Sequence, residues 1–267
     1  MIHSVVLFHS SQNLYPVIIF HDQHFTSSMQ QYILSCVSYS NKTLQISFIL
    51  FHFPSNISLP AKFMKRLNLG YHIMCRFWSY DVFHHPAIKG NHYEYLMRMD
   101  DDAYFIDHTK DDLFEYTKKN NLDYVYRSRY TDDCPGLSTI EARFFKRRRK
   151  FPRKNCIYNN FFLIRLQWFY QSTRVQTFSH QLIENDFMLK EYIGDGCVHA
   201  VWFDLDRNMK TKEIKTISYG HNSHIMLAND DNFLSSVRAF SQQMENSCHQ
   251  LILIENRKKQ LKLIEIS

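Results

Sequence analysis

The chain has 267 residues, 45% of them hydrophobic and 15% aromatic, with a formal net charge of +6. This is enough to build one large cored domain, or one domain with a small appendage, and six glycines with six prolines argue against a disordered or low-complexity chain. No zinc-finger spacing or RNA-binding signature accompanies the positive charge, so no nucleic-acid partner is expected.

In chain order, Val5 to Phe8 is too short an apolar run for a membrane anchor, and no later stretch reaches the length of a spanning helix. The chain therefore reads as soluble, with any anchor lying outside it. Pro16 to Phe20 is a short β-branched run and predicts a buried strand. Thr26 suits the N-cap of a helix through about Cys36. Thr43 to Phe53 predicts a second strand and Pro54 to Pro60 a turn. Gly70 to about Val82 has helical spacing, with Tyr71, Met74, Cys75, Trp78 and Val82 near one face. Tyr93 to Met99 is the next strand. A helix over 110–119 and a strand over 122–126 follow. Residues 128 to 155 read as an irregular basic insertion. Tyr158 to Arg165 predicts a strand. Trp168 to Lys190 has a helical pattern, with Trp168, Phe169, Val175, Phe178, Leu182 and Met188 as buried candidates. Gly194-Asp195-Gly196 breaks it, a helix runs from about Cys197 to Leu205, and Ile214 to Ile217 is a short strand. Alternation of strands and helices predicts an α/β domain over residues 1–230, with a mixed, mainly parallel sheet flanked by helices. Residues 231–267 read as a helical tail.

Six cysteines are present without a CxxC pair, which argues against a structural zinc site and leaves disulfide partners open. Asn41-Lys42-Thr43 and Asn56-Ile57-Ser58 are glycosylation sequons. The run Lys146-Arg147-Arg148-Arg149-Lys150, with Arg153 and Lys154, is a solvated loop or a surface for an acidic partner or membrane.

The densest chemical signal lies at the end of the 93–99 strand. Asp100, Asp101 and Asp102 follow an apolar, aromatic run, and Ala103-Tyr104-Phe105 resumes it. Adjacent carboxylates repel unless solvent or a cation separates them, and a hard divalent cation prefers oxygen ligands. In α/β sheets, ligands bind beyond the carboxyl ends of strands. The stretch is similar to the strand-end Asp-x-Asp pattern of nucleotide-sugar transferases. The competing reading is a solvated acidic turn.

Around it, Tyr71-His72-Ile73-Met74-Cys75-Arg76-Phe77, His85-Pro86-Ala87-Ile88 and Tyr95-Leu96-Met97-Arg98-Met99-Asp100 occur in order. Asn159-Asn160-Phe161-Phe162, Gly194-Asp195-Gly196-Cys197-Val198-His199 and Ser218-Tyr219-Gly220-His221 follow, and His21-Asp22-Gln23-His24-Phe25-Thr26 precedes them. Together, over about residues 15 to 225, these segments resemble the fungal Golgi α-1,2-mannosyltransferase family of the glycolipid 2-α-mannosyltransferase type. The resemblance implies a GT-A fold and retaining transfer of mannose from GDP-mannose to a glycan or glycoprotein acceptor, with Mn²⁺, on the lumenal side of a Golgi or other secretory membrane. It places Asp100 and His221 at metal-binding positions, and Asp102 brings the chain closer to an ordinary Asp-x-Asp. It sets Tyr71 near the donor sugar and Asp195 in the active site near the sugar or the acceptor hydroxyl. Arg76 would suit a diphosphate, because a guanidinium binds phosphate in a bidentate manner. For Asp195 a helix-capping role competes, and for Tyr71 and Arg76 plain packing or pairing.

The chain departs from this pattern in telling ways. Phe162 stands where the family carries its candidate carboxylate nucleophile, and no Asp or Glu lies between Lys154 and Trp168. Double displacement needs such a carboxylate. Attack from the leaving-group face, with a diphosphate oxygen accepting the hydroxyl proton, is the mechanism left for an active enzyme. The family's first strand and nucleotide-binding turn are expected to be short or missing before Tyr15. A homologue that binds nucleotide or glycan without turnover, and a basic binding module built on residues 146 to 154, are the other readings.

Overall fold

The computed structural model describes residues 4–5, 8–9, 15–38, 44–52, 69–146, 154–221, 224–230 and 234–235. The Pro54–Pro60 turn, both sequons' asparagines, residues 147–153 of the basic run and all of the 231–267 tail except 234–235 lie outside them.

The main elements in chain order are β1 (Val17–His21), α1 (Ser27–Ser38), β2 (Ile46–Leu50), α2 (Leu69–Arg76), a π-helical turn (Phe77–Asp81) followed by two short helical turns (Val82–His84 and Pro86–Lys89), β3 (Tyr95–Met99), β4 (Ala103–Phe105), α3 (Leu113–Lys119), β5 (Tyr124–Tyr126) and β6 (Arg129–Asp132). Then come α4 (Pro135–Phe144), β7 (Lys154–Ile157), β8 (Phe161–Arg165), α5 (Leu166–Gln171), α6 (Thr173–Ile183), α7 (Phe187–Lys190), α8 (Asp195–Leu205), β9 (Thr211–Glu213), β10 (Tyr219–His221), β11 (His224–Met226) and β12 (Leu234–Ser235). They divide between two compact units. One takes described residues from Met1–Phe53, Asp100–Leu113 and Thr216–Ser267, the other from Pro54–Met99 and Phe114–Lys215.

In the first unit, β1 and β2 pair in parallel, from Val17↔Ile46 to His21↔Leu50, with α1 as the crossover. Thr26 begins that helix as expected, its Oγ1 accepting from the Met29 amide at 3.4 Å. A second sheet has the order β12-β11-β10-β4 and is antiparallel throughout. The end of β4 and the segment after it are tied down by Ser4 and His9. Ser4 Oγ accepts from the Phe105 amide at 3.1 Å, and His9 Nε2 from the Leu113 amide at 3.2 Å.

The second unit is organised on the sheet β3-β8-β5-β9. Phe161 to Ile164 on β8 are all fully buried, as the unbroken apolar sequence of a strand covered on both faces requires. β8 runs antiparallel to both β3 and β5, while β9 joins β5 in parallel. α8 is apolar nearly all round and lies in the core. Its His199 stacks on Trp202 at 4.0 Å, and Trp202 meets Phe83 and Phe169, themselves stacked at 4.1 Å. All six buried candidates between Trp168 and Met188 are buried. Their segment, however, is broken into α5, α6 and α7 rather than one long helix.

Other differences have clear physical origins. The expected irregular insertion contains the antiparallel pair β6–β7 and the helix α4. Pro135 sits in the first turn of α4, where its missing N–H costs nothing, and Leu137 and Ile140 turn inward. The strand expected at Ile214–Ile217 is instead Thr211–Glu213, and β10 to β12 follow it. Backbone pairing with β5 selects the polar triplet, and the two isoleucines are buried in the turn that follows. The buried face of the 70–82 segment differs from the expected one, and a π-helical turn shifts it further from Phe77 onward. His72, Ile73 and Phe77 join Cys75 and Val82 inside, and Tyr71, Met74 and Trp78 are only half-buried. Among the described residues only the β3-β8-β5-β9 sheet is mixed as expected, and antiparallel ladders outnumber parallel ones, so the sheet is not mainly parallel. No helix among the described residues is long and apolar enough to cross a membrane.

Candidate functional site

In the first unit, the chain turns sharply through the aspartates. The Asp100 carbonyl accepts from the Ala103 amide at 3.0 Å, so the turn closes directly into β4. β10 lies antiparallel to β4 with Gly220 opposite Tyr104 and His221 opposite Ala103. A Cβ at position 220 would fall 2.3 Å from the Tyr104 ring, so only glycine lets these strands meet in this register. The result brings Asp100, Asp102 and His221 together, with one ligand atom of each within 4.8 Å of the others. His221 Nε2 is 3.1 Å from Asp102 Oδ1 and 3.7 Å from Asp100 Oδ2. The hydrogen bond from His221 is the main reason the Asp102 carboxyl is held below its usual range, against a smaller opposing effect of burial. Asp101 is exposed and does not belong to the trio. Two carboxylates and an imidazole, reachable from solvent, form a donor set that suits a divalent transition metal such as Mn²⁺ better than Ca²⁺.

In the second unit, Asp195 and Arg98 meet in the interior at 5% and 2% exposure. Asp195 is the first residue of α8, after Gly194 at the N-cap position, and its side chain turns to Arg98. Its Oδ2 accepts from Arg98 Nη1 at 2.5 Å. Arg98 Nη2 points to Met74 Sδ at 3.4 Å, and the guanidinium lies 4.5 Å over the Trp78 ring. α8 can start here because Gly196 passes against β7, where a Cβ would lie 2.1 Å from the Ile157 carbonyl oxygen.

Phe162 is opposite Arg98 in the β3–β8 ladder and fully buried. It stacks on Tyr124 at 5.3 Å and meets Trp78 and His199 edge-on. The Trp78 carbonyl can only accept, so His199 Nε2–H donates to it at 3.0 Å and Nδ1 accepts from the Tyr124 hydroxyl at 2.6 Å. Burial, the leading cause, lowers the His199 pKa to about 4 and keeps the ring neutral.

Tyr71 is half-buried, and burial first, then Cys75 and Asp195, push its hydroxyl far above the ordinary tyrosine range. It is therefore a hydrogen-bond group that does not ionise. Burial likewise raises Tyr130, and raises Tyr192 to about 12; the Tyr192 hydroxyl donates to Asp132 Oδ2 at 3.2 Å. Arg76 is engaged by Asp81 at 3.1 Å and Asp186 at 3.3 Å, the arrangement of a pairing residue. Sequence reasoning assigned no role to Arg98, Trp78, Tyr130, Tyr192 or Asp132. A signal existed only for Arg98, a charge between two methionines inside an otherwise apolar strand.

The fold is an α/β fold of the GT-A glycosyltransferase type. Among solved structures, the chain is similar to core-mannan synthase A (CmsA/Ktr4) from Aspergillus fumigatus in its Mn/GDP form, with a TM-score of 0.70 and 17% identity over 88% of this chain and 73% of that one. It is also similar to the mannosyltransferase Ktr4p from S. cerevisiae in complex with GDP, with a TM-score of 0.68 and 17% identity over 84% and 67% of the two chains. Another structure of the yeast protein gives a TM-score of 0.69 at 17% identity, over 84% and 66%. No protein-family model and no curated protein matches the sequence.

Proposed function

We propose that the chain is a metal-dependent retaining glycosyltransferase that transfers mannose from GDP-mannose to a glycan or glycoprotein acceptor in α-1,2 linkage. The observation that carries this reading is the convergence of Asp100, Asp102 and His221 from two strands of a GT-A-type fold. The similar structures are a mannan synthase in its Mn/GDP form and a mannosyltransferase with GDP, which supports the same donor and metal here.

Asp100, Asp102 and His221 would hold Mn²⁺. When bound, the ion supplies positive charge that offsets the charge growing on the departing GDP. Arg98 fixes the rotamer of Asp195 by engaging its Oδ2, which leaves the other carboxylate oxygen to accept from a sugar or acceptor hydroxyl. Tyr71 adds a hydroxyl that stays protonated and serves as a hydrogen-bond donor rather than a base. Phe162 contributes no nucleophile, so attack from the leaving-group face is the mechanism supported. A lumenal, secretory setting is proposed with it, because the Cys156–Cys197 disulfide suits an oxidising compartment.

Incubation with a panel of nucleotide sugars and Mn²⁺ tests the proposal. Transfer or hydrolysis is expected with GDP-mannose, and its loss on chelation. Absence of turnover with every donor, or activity unchanged in Asp100→Ala, sinks it. The complete burial of Phe162 among aromatic rings favours one other reading, a homologue that binds nucleotide without turning over. Calorimetric GDP binding with no turnover supports that alternative.

A further inference from the structure

Three cysteines of the second unit share one buried cluster. Cys156 on β7 and Cys197 in the first turn of α8 form a disulfide, and Cys134, the residue before α4, is a thiol. Cys134 Sγ lies 2.8 Å from Cys197 Sγ and 3.9 Å from Asp132 Oδ2, a carboxylate oxygen within reach of its S–H. All three sulfurs are shielded, with exposures of 3%, 0% and 0% for Cys134, Cys156 and Cys197, so soluble thiols have little access while the internal thiol is already in contact.

We propose that these residues form an internal thiol–disulfide exchange relay in which Cys197 alternates between Cys156 and Cys134. Cys134 gives its proton to the Asp132 carboxylate and attacks Cys197 Sγ. The Cys134–Cys197 bond forms as the Cys156–Cys197 bond breaks. Cys156 leaves as a thiolate and takes up the proton. One disulfide replaces another, so no outside oxidant or reductant is consumed. Exchange moves the tether of the α8 N-terminus from β7 to the start of α4. Asp195 lies two residues before Cys197 and is the Arg98 partner, so the relay sets which element holds that carboxylate in place. While the disulfide exists, the cluster can offer a metal only the Cys134 sulfur, so it is not a closed metal site in this state.

The test is disulfide mapping of the full chain, quenched in acid, alkylated with N-ethylmaleimide in denaturant and digested without reduction. From these three cysteines two linked peptide pairs are expected, 134–197 and 156–197, each with the third member of the cluster alkylated, beside the separate disulfide of Cys36. Cys134→Ser should abolish the first pair, and Cys156→Ser should convert the whole population to it. A single linked pair from this cluster in the native sequence, after incubation at both neutral and alkaline pH, overturns the relay. So does a Cys156→Ser chain in which Cys134 and Cys197 are both alkylated. Three unlinked cysteines with one zinc per chain, by elemental mass spectrometry, would also overturn it in favour of a metal centre. Should Cys156→Ser fail to fold, the map of the native sequence decides alone.

Discussion

The two charged clusters of this chain are opposites. Asp100, Asp102 and His221 sit at 23%, 44% and 23% side-chain exposure, on strand ends, with ligand atoms gathered around a common point. Asp195 and Arg98 are closed to solvent, and each satisfies the other's charge. The first cluster has an excess of negative charge that an added cation would neutralise. The second is already neutral, and the aromatic shell of Trp78, Tyr124, Phe162 and His199 makes it costly to disturb. The open trio is thus free to take a ligand at little cost in stability, while the Asp195 carboxylate is held by the core.

Mutations can break this contrast. The largest effect on stability is expected from Phe162→Glu, which would place a carboxylate opposite Arg98 among three rings. The loss should be about 4–5 kcal/mol or more in urea unfolding, with no gain of activity. A stable, more active Phe162→Glu chain would show that the site is merely missing its nucleophile. Next is Arg98→Ala, which strands the buried Asp195 carboxylate and should cost about 3–5 kcal/mol. Replacing both partners, as Arg98→Met with Asp195→Leu, should recover most of that loss; additive destabilisation would contradict the pairing argument.

Acidification probes the same core. The folded His199 pKa of about 4 lies below the ordinary 6.5, so the neutral ring is favoured by folding. Its contribution is fully present above about pH 6.5 and is lost as pH falls toward 4, by about 3 kcal/mol. His199→Phe should remove that part of the pH dependence in unfolding measured across the window. The smallest stability effect belongs to the open cluster. Asp102→Asn should change unfolding by less than about 1 kcal/mol, because its ion pair is solvent-screened. A larger loss would mean that the trio is structural.

The two clusters were also unequally legible in sequence. The aspartates announce themselves, because three carboxylates at the end of an apolar strand have few structural uses. His221 is one of fifteen histidines, and only the order of family-like segments singled it out. The Arg98–Asp195 pair joins residues 97 positions apart, and no local pattern encodes it. Phe162 was recognisable as a departure, but its place in an aromatic cluster depends on which strands flank β8. Similarly, β6, α4 and β7 were hidden by the surrounding basic residues, since a ladder between distant segments leaves little periodicity in either strand. Cys134, Cys156 and Cys197 converge through that same ladder, which is why spacing alone left their partners open.

The central claim is that Asp100, Asp102 and His221 hold a divalent ion that holds the donor nucleotide. Calorimetric titration of GDP with and without Mn²⁺, in the native sequence and in His221→Ala, tests it most directly. The account predicts GDP binding that requires Mn²⁺ and weakens by about 10–100-fold or more in the variant. Equal GDP affinity with and without the metal, or an unaltered metal requirement in His221→Ala, would contradict it.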